Sequence, residues 1–162
     1  MLEIKNVTKK YSNKVALKNI SLKLNDGEIF GFIGHNGAGK TTLIKAIVGI
    51  HSFDEGNILI DGLSIMEDEL EYKKKIAYIP DNPDLYENLK GIDYLNFIAD
   101  IYEVSEEKRE ELITLYGKKF AIYDNLGDLI SSYSHGMKQK LAIISGLIHE
   151  PKVLILDEPF VG

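Results

Sequence analysis

The run Gly34-His35-Asn36-Gly37-Ala38-Gly39-Lys40-Thr41 limits what this chain can fold into more than any other stretch. It fits the pattern G-x-x-x-x-G-K-[ST], and that pattern has meaning only between a strand and a helix. Both flanks comply. Residues 28–33 (EIFGFI) form a short, mostly apolar run, as expected of a buried strand. Residues 41–48 repeat apolar positions at helical spacing and stop at Gly49. Glycines reach backbone angles closed to other residues, so successive N–H groups of such a loop converge on one anion. The positive end of the following helix faces the same place. Lys40 then reaches the β- and γ-phosphates of a nucleotide, and Thr41 offers its hydroxyl to Mg²⁺. Gly34, His35, Asn36, Gly37, Ala38, Gly39, Lys40, Thr41 and Thr42 are therefore the candidate ATP-binding residues.

A second motif lies near the other end. Val153-Leu154-Ile155-Leu156 reads as a buried strand, and it runs into Asp157-Glu158. Taken alone, this is equally a strand leaving into a solvated acidic turn. With a phosphate loop upstream it gains a chemical reading. Asp157, at the carboxyl end of the strand, holds the Mg²⁺ shell, and Glu158 points at the γ-phosphate and polarises the attacking water.

The stretches between these motifs set the organisation. Residues 2–7 alternate apolar and polar side chains, residues 15–24 do so less strictly, and Asp26-Gly27 marks a turn. Residues 57–60 and 76–79 are two further short strands, with Pro80 and Pro83 breaking the chain after the second. Between 91 and 120 the character turns helical: Ile92, Leu95, Ile98 and Ala99 share a face, and Ser105 is an N-cap for a second helix. A third helix covers 134–148, ahead of Pro151. Strands at both ends with helices between them describe an α/β core carrying an inserted helical subdomain.

Composition narrows the function classes. A chain of 162 residues holds one sizeable core. Its net charge of −6 argues against gripping nucleic acid, which needs a basic face. There is no cysteine, hence no disulfide or thiolate chemistry. The N-terminal residues lack a signal-peptide pattern, and no apolar run approaches the ~20 residues that span a bilayer. The expectation is a cytoplasmic protein that meets a membrane, if at all, through a partner.

With both motifs in place, the chain resembles the ATP-binding subunits of ABC transporters. Ser134-His135-Gly136-Met137-Lys138-Gln139-Lys140 is similar to that family's signature loop, usually LSGGQ, which opens a helix and binds the γ-phosphate held by the opposite subunit. Tyr133 stands where Leu is usual, His135 replaces the first Gly of the pair, and Met137 replaces Gln. The resemblance makes Ser134, His135, Gly136 and Met137 candidates for the opposite-subunit site. It also makes Tyr11, 23 residues before Gly34, the aromatic that stacks on adenine. Asp81 takes the position of a Gln that touches Mg²⁺ or the attacking water, so Thr41, Asp81 and Asp157 are the metal candidates. His51 and His149 read as ordinary surface or helix-end residues.

The fold class implied is α/β: a P-loop NTPase (RecA-like) core with antiparallel β strands at the N-terminus and an inserted helical subdomain. The resemblance makes residues 1–162 a single ATP-binding domain, with its core in 1–81 and 149–162 and its helical subdomain, carrying the signature loop, in 82–148. Members of the family continue beyond Asp157-Glu158 with a D-loop, a switch histidine and a strand lying between those of 28–33 and 153–156. The resemblance therefore implies an incomplete domain, its C-terminal part missing. Its central gap should be filled by direct pairing of those two strands or by another molecule, since each buried unmet backbone group costs about 1–3 kcal/mol.

Implied too are ATP and Mg²⁺ as ligands, a membrane-spanning partner, a homodimer or pseudo-dimer with a second ATP-binding subunit, and a place on the inner face of the cell membrane. Asp81 together with the Ser-x-Gly-Met-Lys-Gln-Lys loop leans toward exporters. The alternative is a non-transport ATPase of the same family, such as a ribosome-acting one. Gly34 and Ser134 are only 100 residues apart with no heptad run, which argues strongly against the coiled-coil DNA-repair type. A GTPase needs Asn-Lys-x-Asp, which the chain lacks.

Overall fold

The computed structural model describes residues 1–12, 14–35 and 39–157. Asn13, residues 36–38 and residues 158–162 lie outside the described residues. Two compact units divide the chain, Met1–Ala77 and Tyr78–Gly162.

The first unit is built on an antiparallel sheet of order β2-β1-β3-β4. Its strands are β1 (Leu2–Tyr11), β2 (Lys14–Leu24), β3 (Glu55–Ile60) and β4 (Leu63–Ser64). Leu2 faces Leu24 on one side and Ile60 on the other, and Ile4 faces Leu22 and Ile58. This register puts Leu2, Ile4, Ile58 and Ile60 in the core on one face, as alternation requires. The ladder slips between Ile4 and Val7, where Asn6 takes a positive φ of 54°. The helix α1 (Lys40–Ile47) buries Leu43, Ala46 and Ile47. A short helix, α2 (Glu69–Lys74), was not expected from the sequence. Asp68 caps it, and its one buried residue, Tyr72, donates a hydrogen bond to the carbonyl of Ile47 at 2.8 Å.

The second unit starts inside β5 (Ile76–Ile79), which pairs with β6 (Val153–Leu156) in a two-stranded sheet. Three helices follow β5: α3 (Gly91–Ile101), α4 (Glu106–Lys119) and α5 (His135–Leu147). Leu95, Ala99, Ile113, Ile122, Ile130, Leu141, Ile144 and Ile148 meet in their common core. Gly91 is buried where α3 starts, and a Cβ there would lie 2.3 Å from the Tyr133 hydroxyl. Serines cap two of the helices: Ser105, as expected, accepts from Lys108 N at 3.4 Å, and Ser134 accepts from Met137 N at 3.3 Å.

Two expectations need correction. Residues 28–33 form no strand and join neither sheet; Ile29 and Ile33 are 102% and 96% exposed. An apolar run sets the preference for a buried strand, but a strand exists only where a ladder partner lies alongside. Among the described residues this segment has none. The expected direct pairing with 153–156 is therefore absent. Residues 28–33 are all exposed, so water can reach the backbone groups that the chain leaves unpaired, and the cost reckoned for buried unmet groups does not arise. The strand β6 is also less buried than its composition suggested: Leu154 and Leu156 alternate outward at 39% and 37% exposure. One face of β6 is covered, not both.

Candidate functional site

In the first unit the phosphate-loop candidates gather at the start of α1. Gly39 occupies the N-cap with φ 89° and ψ 3°, in the left-handed region. A Cβ at that position would stand 2.7 Å from the Ala16 carbonyl oxygen and 3.1 Å from Leu17 Cδ2. Backbone angle and space thus both select glycine, and β2 fixes where the loop enters the helix. No side chain caps α1 and no acid occupies its first turn. The first intrahelical bond runs from Leu43 N to Gly39 O at 2.9 Å, so the N–H groups of Lys40, Thr41 and Thr42 have no partner within the helix. Lys40 folds back over the loop, donating to the carbonyl of Gly34 and lying 3.4 Å from that of His35. An ammonium and three N–H donors with no partner within the helix suit an anion. Thr41 is exposed and Thr42 half-buried beside it. Asn36, Gly37 and Ala38 are outside the described residues.

Tyr11 closes β1 with its ring 43% exposed. Its ring partners are His51, edge-on at 6.4 Å, and the Lys9 ammonium, 5.2 Å from the ring centre. His51 is half-buried beside Tyr11.

In the second unit the Asp157 carboxylate stands where β6 ends. Its backbone N–H donates to Ile79 O at 2.9 Å, extending the pairing with β5 by one residue. Its Oδ2 accepts a hydrogen bond from the hydroxyl of Tyr78, on β5, at 3.1 Å. Partial burial first, and then the Asp157 charge, push the Tyr78 hydroxyl up to about 12, so it remains a donor across the physiological range. Sequence reasoning missed Tyr78; 79 residues separate it from Asp157, and only the β5–β6 pairing reveals the contact. Asp81 is exposed in the loop leaving β5. Glu158, the candidate catalytic residue, is outside the described residues.

The signature-loop candidates form the N-terminal turn of α5. Ser134, His135 and Gly136 are exposed, Met137 is half-buried, and the turn carries no acid. A Cβ at Gly136 would meet nothing within 4 Å, so that glycine leaves open space beside the helix end. Tyr133, in the usual Leu position, is buried and donates to Asn125 O at 2.6 Å. The run-up to this turn is stitched to the segment before α3: Ile130 N donates to Leu89 O, Ser131 N to Glu87 O, and Lys138 to the Glu87 carboxylate. Tyr102 stacks flat on His149 at 3.8 Å, which places His149 in packing.

Taken one by one, the metal candidates have donor chemistry that fits Mg²⁺: Thr41 in the first unit has a hydroxyl, and Asp81 and Asp157 in the second have carboxylates, all hard oxygen ligands. The described residues contain no cluster of three His, Asp or Glu that could cage a metal alone.

Comparison with known proteins decides the family: the profile described as ABC transporter matches residues 17–161. This chain belongs to the ABC transporter family. YhcH of Bacillus subtilis (strain 168), an uncharacterized ABC transporter ATP-binding protein, is 41% identical over all of this chain and 52% of its own length. The SkfA peptide export ATP-binding protein SkfE of the same bacterium is 32% identical over 100% of this chain and 67% of its length. A solved structure described as the ATP binding subunit of an ABC transporter superposes with a TM-score of 0.93 at 34% identity, covering 99% of this chain and 67% of that one. The chain thus spans about half the length of YhcH. The α/β fold of the family, with its antiparallel N-terminal strands and helices, is the fold found here. No helix among the described residues is long and apolar enough to cross a membrane.

Proposed function

We propose that this chain binds ATP at the 34–41 loop and hydrolyses it to drive transport of a substrate across a membrane, working with a separate membrane-spanning partner. One observation carries the reading: the uncapped start of α1, where Gly39 is required, the N–H groups of residues 40–42 lack helical partners, and Lys40 covers the loop. Those groups suit the phosphates of a nucleotide, and Lys40 takes the β- and γ-phosphates. Thr41, Asp157 and Asp81 supply oxygen ligands, and Glu158 polarises the attacking water. Bound Mg²⁺ neutralises charge on the phosphate oxygens. Tyr11 offers a flat ring to adenine.

The open turn of Ser134, His135, Gly136 and Met137 suits the γ-phosphate held by a second ATP-binding subunit, so two such subunits sandwich the nucleotide. Closure of the pair moves the membrane partner, and hydrolysis reopens it. The peptide-export name of SkfE supports export as the direction. No feature of the chain favours nucleic acid as a partner, given its net charge of −6. This reading places the chain on the inner face of the membrane and treats 1–81 with 149–162 as the core and 82–148 as the helical subdomain.

Glu158→Gln in the full natural protein tests the catalytic assignment. The amide keeps the shape but loses the charge that polarises water, so ATP should still bind while turnover falls about 100-fold or more. Turnover at the wild-type rate would remove Glu158 from its role.

A further inference from the structure

The contact between Tyr78 and Asp157 belongs to no motif and joins residues on the paired strands β5 and β6. Asp157 sits one residue past the end of β6, anchored through its N–H to Ile79 O at 2.9 Å. Its backbone is therefore fixed, but the carboxylate could still turn about its own side-chain bonds. The Tyr78 hydroxyl removes that freedom, since it donates to Oδ2 at 3.1 Å and leaves Oδ1 uncommitted to it. The tyrosine is itself constrained, half-buried on a strand whose neighbours Ala77 and Ile79 are buried.

We infer that Tyr78 is a positioning residue: by holding one oxygen of Asp157 it presents the carboxylate, pre-oriented, to the divalent cation that accompanies the nucleotide. This rests on the ATP-binding reading above. A carboxylate free to rotate must be ordered when the ion arrives; one already held has that cost removed beforehand. Groups that hydrogen-bond a metal's own ligands typically change metal affinity 10- to 100-fold when removed. Phenylalanine at position 78 keeps the ring and its packing and deletes only the donor.

The test uses the full natural protein with Mn²⁺ as a spectroscopic substitute for Mg²⁺. Binding of Mn²⁺ to the ATP-loaded protein is followed by electron paramagnetic resonance, without reference to turnover, in wild type, Tyr78→Phe, Asp157→Asn and the double variant. Tyr78→Phe should weaken Mn²⁺ about tenfold, leave metal-free ATP affinity unchanged, and unfold at the wild-type temperature. In the Asp157→Asn background the same substitution should change Mn²⁺ affinity little, because its effect runs through the carboxylate. Unchanged Mn²⁺ affinity in Tyr78→Phe overturns the positioning role and leaves the ATP reading standing. An equal loss with and without the carboxylate also overturns it, since the tyrosine would then act on structure alone. Failure of the wild type to bind ATP overturns the underlying reading, and this inference with it.

Discussion

Replacing Gly39 by alanine strikes the point where strand β2, the phosphate loop and helix α1 meet. Two costs add. At φ 89° a side chain lies in the left-handed region, which costs an alanine about 1–2 kcal/mol. The new Cβ would also stand 2.7 Å from the Ala16 carbonyl oxygen, a backbone atom that cannot swing aside, and 3.1 Å from Leu17 Cδ2. Crowding of this kind costs about 1–3 kcal/mol. The total for Gly39→Ala is about 2–5 kcal/mol.

Gly27 provides an internal control. It has a comparable φ of 76°, but a Cβ there meets nothing within 4 Å. Gly27→Ala should therefore cost only the backbone part, about 1–2 kcal/mol. Urea unfolding of the full natural protein, compared through the shift in midpoint, measures both. A second assay separates packing from function: Gly39→Ala should also weaken ATP binding at least tenfold, ~1.4 kcal/mol, because relieving the clash moves the loop, while Gly27→Ala leaves ATP affinity unchanged. Equal midpoints for the two variants, or wild-type ATP affinity in Gly39→Ala, would refute the reasoning.

Two further substitutions probe the units separately. Tyr72→Phe removes a fully buried hydroxyl bound to Ile47 O and should cost about 1–2 kcal/mol near neutral pH. Burial raises the Tyr72 hydroxyl above its ordinary 10.0, so the folded state keeps a proton that the unfolded state loses. The wild type should then lose stability as pH climbs past about 10, and the variant should show a shallower fall in urea midpoints over the same range. Gly91→Ala places a Cβ 2.3 Å from the Tyr133 hydroxyl and should cost about 1–3 kcal/mol by displacing that ring from Asn125 O; a wild-type melting temperature would contradict it.

What was legible in the sequence followed from local signals. Ser105 caps the helix it was expected to cap, because an N-cap depends on residues within one turn. The strands 76–79 and 153–156 have the bounds their apolar runs mark. The short helix α2 was invisible: six residues bury only Tyr72, too few to show a period. Residues 28–33 failed for the opposite reason, since their apolar pattern was clear but strand formation depends on a neighbour that local sequence does not encode. At the candidate site, a glycine at position 39 was readable from spacing, whereas the hold of Tyr78 on Asp157 required the pairing of two distant strands.

Titration of the full natural protein with ATP and Mg²⁺, beside its Lys40→Ala variant, tests the central claim most directly. Lys40 is the cation folded over the loop carbonyls at the open end of α1. Removing it should weaken ATP at least tenfold, ~1.4 kcal/mol, with the fold intact. The same dissociation constant in both proteins would contradict the account.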